Sequence, residues 1–167
     1  KIKNMFVYTS CPERGLSTLL DLWPRILEIL PDAQLKIAAY NIFPVNPDDV
    51  KLQKIIQTFP DSIEHCGKLN PVSLYKLMGE AEYWLYPCNW PETSCITALE
   101  MLHSGAICLY YPSAGLTDTM GSHGFKMAPG EEINLLKQLS ELSKEEKDQI
   151  ILDGKTYAQS CSWDNRA

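Results

Sequence analysis

The chain has 167 residues, of which 45% are hydrophobic, and it carries a formal net charge of -6 with a pI near 5.0. A chain of this length buries roughly 70% of its unfolded surface, so we expect a single domain with a full core. The acidic balance argues against nucleic acid and against an anionic membrane surface as partners, because both require a basic face.

The first half of the chain alternates strand and helix patterns. Residues 4–9 form a short apolar run typical of a buried strand, and residues 15–30 repeat large apolar side chains at helical spacing. Pro24 lies inside this helix, so we expect a kink or a restart there. A second strand is predicted over 34–40 and a helix over 47–58.

The second half continues the alternation. In chain order, the predicted elements are a strand at 62–66, a helix at 71–79, a strand at 82–86, a helix at 93–103, strands at 106–110 and 125–127, and a helical tail from 131 to about 160. Such an alternation predicts an α/β fold, a doubly wound (Rossmann-like) parallel sheet with helices on both faces.

In the commonest doubly wound order, the first and fourth strands are neighbours and ligands bind at their carboxyl ends. That order brings the loop at 10–15, which contains Arg14 and Gly15, beside the loop at 87–92, which ends at Glu92. We therefore expect one crevice lined by a cation, a helix opened by glycine and an acidic helix start.

Glu92 and Glu100, separated by seven residues, flank the start of the predicted helix 93–103. A helix N-terminus offers backbone N–H groups and a partial positive charge to an anion. A carboxylate on either side can hold hydroxyl groups, so the spacing suits the sugar, diphosphate and ribose of a sugar nucleotide. Taken singly, each glutamate also fits a structural role, and Arg14 also fits a solvated loop cation.

The six cysteines form no C-x-x-C pair and no Cys/His cluster at zinc spacing, and most lie in apolar runs. The sequence has no charged-then-apolar leader and no long apolar span. We expect reduced thiols in a cytoplasmic protein, or one peripheral to a membrane through a missing part. Both ends look cut, so we expect residues 1–167 to be a fragment.

Several ordered segments carry a family resemblance. Residues 13–16 open the first helix, residues 65–69 cover the end of the third strand and the turn after it, residues 81–87 precede the paired glutamates, and Ser162-Trp163 comes late. Together these segments resemble the C-terminal, donor-binding half of GT-B fold glycosyltransferases of the retaining, family-4 type. The resemblance implies a hexosyltransferase whose residues 1–167 form a single nucleotide-sugar-binding domain.

The resemblance also implies residue roles. Arg14 and Glu92 would be catalytic, Arg14 on the donor diphosphate and Glu92 near the hydroxyls of the transferred sugar. Glu100 would accept hydrogen bonds from the ribose. The other implied donor-binding residues are Gly15, Gly67, Lys68, Leu69, Thr93, Ser94, Cys95 and Ile96.

The expected partners are a nucleotide sugar, an acceptor that is a glycan, lipid or protein, and an acceptor-binding N-terminal domain that lies outside the sequence. No D-x-D element is present, and the resembling enzymes are metal-free, so we expect no metal and no other cofactor. Without its other half, the fragment is expected to bind the donor and not to transfer the sugar.

The chain departs from the family where a second basic residue usually ends the first strand, because Tyr8-Thr9-Ser10 stands there. Lys68 and Lys126 are the cations that can replace this basic residue at the diphosphate. The usual aromatic-glycine pair after the first glutamate is replaced by Thr93-Ser94. A non-catalytic GT-B-like binding module is therefore the alternative. A dinucleotide oxidoreductase is disfavoured, because no G-x-G-x-x-G follows the first strand.

Overall fold

The computed structural model describes residues 1–39 and 47–162, with backbone alone at 47–49. Its strands form one six-stranded sheet in the order β3-β2-β1-β4-β5-β6, and every neighbouring pair is parallel. This order confirms the doubly wound fold and places β1 beside β4. The strands are β1 (Ile2–Tyr8), β2 (Gln34–Ile37), β3 (Ile63–His65), β4 (Ala81–Tyr86), β5 (Ile107–Tyr110) and β6 (Phe125–Lys126).

Seven helices connect or follow these strands within the described ranges. They are α1 (Leu16–Ile29), α2 (Pro47–Thr58), α3 (Pro71–Glu80), α4 (Ile96–Ser104), α5 (Ala114–Met120), α6 (Glu132–Ser140) and α7 (Lys144–Ser160). Element bounds agree with the sequence-based ones to within three residues, and Tyr40, predicted to end β2, lies outside the described residues.

Two features of the helices differ from expectation. The sequence predicted no helix at α5, and it predicted one helical tail where α6 and α7 are separate. The separation follows from a capping box, in which Ser143 accepts from the Glu146 N–H and Glu146 accepts from the Ser143 N–H. This reciprocal pair starts a new helix at Lys144.

Helix α1 runs through Pro24 as one helix, so of the kink or restart expected there the restart does not occur. Proline inside a helix removes one backbone hydrogen bond and costs about 3 kcal/mol. Helix α1 offsets this cost by burying an apolar stripe that includes Leu20, Trp23 and Ile26. The burial of this apolar stripe therefore outweighs the tendency of proline to end a helix.

The core is centred on β1 and β4. All six side chains of β4 are buried, so both faces of the sheet are covered at this strand. Phe6 of β1 stacks on Tyr83 with ring centroids 5.1 Å apart and meets Trp23 edge-on at 5.5 Å. This packing holds β1 and β4 side by side, and the candidate site lies at their carboxyl ends. Among the described residues, no helix has the length and apolar character needed to cross a bilayer.

Candidate functional site

The loops that follow β1 and β4 touch at Gly15. This residue precedes α1 with φ of +94°, and a Cβ added to it would lie 2.5 Å from the carbonyl oxygen of Pro87. Only glycine combines this left-handed backbone with so close an approach. Gly15 therefore holds the two loops together, as the predicted strand order required.

Arg14 and Glu92, one from each loop, form a direct ion pair. Nη1 of Arg14 donates to both carboxylate oxygens of Glu92, at 2.7 and 2.8 Å. The Glu92 side chain is only 4% exposed, whereas that of Arg14 is 37% exposed. Partial burial opposes the charge on Arg14, but Glu92 and Tyr86 raise its pKa further above its ordinary value.

Tyr86, the last residue of β4, completes the buried end of this pair. Its hydroxyl donates to Oε1 of Glu92 at 3.0 Å and lies 3.4 Å from Oγ of Ser10. Burial raises the pKa of the Tyr86 phenol, so the hydroxyl keeps its proton and stays a donor. Sequence analysis did not identify Tyr86, although its place at the carboxyl end of β4 marks it as a candidate.

A cleft of about 360 Å³ opens beside Arg14, and we call it the cationic cleft. Its lining includes Thr9, Ser10, Cys11, Arg14, Lys68 and Leu69. Thr9 Oγ1 is a buried atom with no hydrogen-bond partner among the described residues. Of the two substitute cations, Lys68 lines this cleft, whereas Lys126 lies exposed on β6 at one edge of the sheet.

Gly67 shapes the turn that delivers Lys68 and Leu69 to the cationic cleft. Its φ of +67° lies in the left-handed region. The chain leaves β3 at His65 and turns at Gly67 before α3 begins at Pro71, where the Asn70 side chain caps the helix. The structure thus brings Arg14, Lys68 and Leu69 together from segments that are far apart in sequence.

Helix α4 begins at Ile96, three residues later than the sequence predicted. The preceding segment is tied to α5 instead, because Gly115 N–H donates to the Glu92 carbonyl at 2.7 Å and Cys95 N–H donates to Thr119 Oγ1 at 3.3 Å. A Cβ on Gly115 would lie 2.1 Å from the Thr93 carbonyl oxygen. Glycine at 115 is therefore required for this contact.

The segment before α4 offers backbone donors. Within the part of the chain that the structure describes, the N–H groups of Thr93, Ser94 and Ile96 have no acceptor. The side chains of all three residues are exposed. Cys95 differs, since its side chain is buried and burial raises the pKa of its thiol to about 11. Its sulfur is therefore a protonated, packed group at neutral pH.

Glu100 lies apart from the cationic cleft. Its carboxylate accepts a hydrogen bond from the Tyr75 hydroxyl at 3.0 Å, and both residues line a wider cleft of about 930 Å³ that His103 and Ser162 also border. Leu74, next to Tyr75 on α3, lines the cationic cleft. Arg14 and Glu100, which were expected in one crevice, thus lie at two different clefts, both bordered by α3.

Metal-binding geometry is absent from the described ranges, which contain no group of three side chains able to hold a metal ion. The described cysteines are all free thiols.

The chain is similar in structure to parts of several solved glycosyltransferases. It matches the pneumococcal O-GlcNAc transferase GtfA in complex with UDP and GlcNAc, with a TM-score of 0.72 and 16% identity over 96% of this chain and 33% of that one. It matches the catalytic domain of starch synthase IV from Arabidopsis thaliana bound to ADP and acarbose, with a TM-score of 0.73 and 15% identity over 95% and 37%.

Anabaena HepE in complex with UDP matches with a TM-score of 0.76 and 16% identity over 94% of this chain and 44% of that one. The chain therefore spans between 33% and 44% of the length of these structures. No protein-family model matches the chain, and no curated protein matches it in sequence. At this identity the likeness shows the fold, which is the Rossmann-like α/β domain found in GT-B glycosyltransferases.

Proposed function

We propose that residues 1–167 form the nucleotide-sugar donor-binding domain of a retaining, family-4-type glycosyltransferase that transfers a hexose. The acceptor-binding domain belongs to the rest of the protein, and transfer requires it. The observation that carries the proposal is the cationic cleft at the carboxyl ends of β1 and β2, which joins Arg14 and Lys68 in an otherwise acidic chain. Ligands of doubly wound sheets bind at this edge.

The cationic cleft suits a diphosphate. Both bonds from Arg14 to Glu92 use one terminal nitrogen, so the guanidinium keeps further N–H groups for phosphate oxygens. The unpartnered backbone N–H groups of Thr93, Ser94 and Ile96 at the start of α4 provide neutral donors for the same anion. A local arrangement of this kind can bind an anion although the chain carries a net charge of -6.

The residues have distinct roles in the proposed reaction. Arg14 stabilises the negative charge that develops on the diphosphate as it leaves, the main contribution expected of a preorganised cation. Glu92, held by Arg14 and Tyr86, orients hydroxyls of the transferred sugar, and Glu100 accepts hydrogen bonds from the ribose. Gly67, Lys68 and Leu69 lie beside the base, and no metal or other cofactor takes part.

The test is isothermal titration calorimetry of the chain with UDP-, GDP- and ADP-glucose. Two of the compared structures hold UDP and one holds ADP, so these nucleotides are natural first probes. We expect one of them to bind, and Lys68→Ala to weaken that binding by about ten- to a hundredfold, since hydrogen bonds to charged groups contribute about 1.5–3 kcal/mol. Lys3→Ala, whose side chain is 82% exposed, is the matched control. A folded chain that binds none of the three contradicts the proposal.

A second candidate is a binding module that keeps the fold without transferring sugar. Two observations favour it: no cation stands in the segment Tyr8-Thr9-Ser10, and Glu92 is buried against Arg14. Donor binding alone does not separate the two candidates. Turnover of a donor by the full-length protein supports the enzyme, and binding without turnover supports the module.

A further inference from the structure

A second cleft, of about 550 Å³, lies against the same β1–α1 loop, and we call it the tryptophan cleft. The residues on which the inference depends are Glu13, Ser17, Thr18, Asn89 and Trp90. Residues of one loop alternate between the two clefts, because Cys11 and Arg14 line the cationic cleft whereas Pro12, Glu13 and Gly15 line the tryptophan cleft. The two clefts are therefore neighbours separated by a single loop.

The tryptophan cleft presents an aromatic surface beside unused polar groups. The Trp90 side chain is 57% exposed, although an indole of this size is normally well packed. Across residues 1–39 and 47–162, the side chains of Glu13, Ser17, Thr18 and Asn89 have no hydrogen-bond partner. A flat apolar face next to hydroxyl, amide and carboxylate groups can pack one face of a ligand and hydrogen-bond its edge.

Charge distinguishes this cleft from its neighbour. No cation is among the residues described as lining it, and its one ionisable side chain is the carboxylate of Glu13. A phosphate or carboxylate ligand would be repelled here, whereas it would be attracted by Arg14 and Lys68 in the cationic cleft. The ligand that fits an exposed indole, hydroxyls, an amide and an acceptor carboxylate is an uncharged polyhydroxy ring.

We propose that the tryptophan cleft binds a neutral saccharide of the acceptor, so that this domain contributes to the acceptor site as well as to the donor site. The acceptor role rests on the proposed function. Gly15 and Pro91 line the cleft and are the chain neighbours of Arg14 and Glu92, so a bound saccharide would lie one residue along each loop from that ion pair. There an acceptor hydroxyl oxygen would bond to the anomeric carbon as the bond from that carbon to the diphosphate breaks, and the hydroxyl proton would leave on the diphosphate.

The size of the tryptophan cleft agrees with this ligand. Its volume lies in the range of about 300–1,000 Å³ that is usual for small-molecule sites. A mono- or disaccharide is of a suitable size, and a longer glycan would extend beyond the cleft. The expected affinity is weak, because one exposed indole and a few neutral hydrogen bonds offer limited interaction.

The test uses the ¹⁵N-labelled chain and four neutral probes: maltose, cellobiose, lactose and chitobiose. The indole N–H signal of Trp90 is assigned by its disappearance in Trp90→Phe. We expect at least one probe, at millimolar concentration, to shift this signal and the Asn89 amide saturably. Trp90→Ala should abolish the binding, whereas Leu152→Ala, which removes an apolar side chain that is also 57% exposed, should leave it unchanged.

The outcomes separate this inference from the proposed function. UDP is titrated into the same sample, and we expect it to shift the backbone amide signals of Lys68 and Leu69. If UDP binds and no saccharide shifts the Trp90 signal, the inference is overturned and the donor site stands. If UMP itself moves the Trp90 indole, the cleft is a nucleobase site and the inference is also overturned. If a saccharide binds and no nucleotide does, the saccharide site stands and the donor role fails.

Discussion

Nη1 of Arg14 contacts both carboxylate oxygens of Glu92, although the two residues are 78 positions apart in the sequence. The pair joins the loop after β1 to the loop after β4 at the edge of the sheet where doubly wound folds bind ligands. It also fixes the protonated Tyr86 hydroxyl on the same carboxylate. The candidate site therefore depends on a contact that also contributes to stability.

A double-mutant cycle of Arg14→Met and Glu92→Gln should reveal this coupling. Removing Arg14 alone leaves a buried carboxylate short of a partner, so we expect a coupling free energy of about 1–3 kcal/mol in urea unfolding. The control is the exposed pair of Lys51 and Asp21, each 51% exposed, for which about 0.5 kcal/mol or less is expected. Equal couplings for the two pairs would show that burial of Glu92 adds nothing.

Glu100→Ala should weaken nucleotide-sugar binding by about tenfold or more, because it removes a charged acceptor proposed for the ribose. Glu64→Ala is the matched control, since Glu64 pairs with Lys36 at 3.1 Å and lies outside both clefts beside the site. Calorimetry with the donor that binds best measures both variants. Equal effects would reject the assignment of Glu100, whose only side-chain bond among described residues is to Tyr75.

Gly115→Ala should reduce both stability and donor binding. The added Cβ would lie 2.1 Å from the Thr93 carbonyl oxygen, so the segment that carries the free N–H groups has to move. Gly79→Ala is the control for stability alone, because the site in α3 is open and alanine should stabilise the helix by about 0.4–1 kcal/mol, whereas Gly79 itself lines the cleft of Glu100. Thermal unfolding of the two variants and donor titration of Gly115→Ala check the expectation, which fails if Gly115→Ala binds donor normally.

Cys11 lines the cationic cleft and should be the most readily alkylated of the described cysteines, because it is exposed whereas the others are half-buried or buried. Iodoacetamide should label it at neutral pH, and saturating UDP should slow the labelling by covering the cleft. Cys88, Cys95 and Cys108 are buried and should react only after unfolding. Peptide mass spectrometry gives the rate at each position. A Cys11 rate that UDP leaves unchanged would place the nucleotide elsewhere.

Cys95 should make stability fall between pH 9 and pH 11. Burial raises the pKa of its thiol from about 9 to about 11, so over this interval the folded state keeps a proton that the unfolded state has lost. The stabilisation is fully present below pH 9 and is lost as the pH rises through 11. In Cys95→Ala the fall should be smaller by up to about 3 kcal/mol. Identical pH profiles for the two proteins would contradict this assignment.

The sequence by itself determined the fold. Apolar runs, helical spacing and turn residues depend on short-range preferences and burial, so they located all six strands and placed β1 beside β4. The helix α5 was missed because seven residues give too short a pattern. The start of α4 was misplaced because Gly115 and Thr119, which hold the preceding segment, come from a different helix.

The tertiary structure alone decided how the site residues are arranged. Arg14 and Glu92 were predicted in one crevice, but their direct pairing, the contribution of Tyr86 and the separation of Glu100 into a second cleft depend on atoms far apart in sequence. The pattern of apolar and polar residues predicts which side chains are buried. It does not predict which side chains from different loops contact each other in the folded chain. The two loops that line the tryptophan cleft were predicted to be adjacent, but the contributions of the first turn of α1 and of Leu52 in α2, and the exposure of Trp90, are visible only in the folded chain.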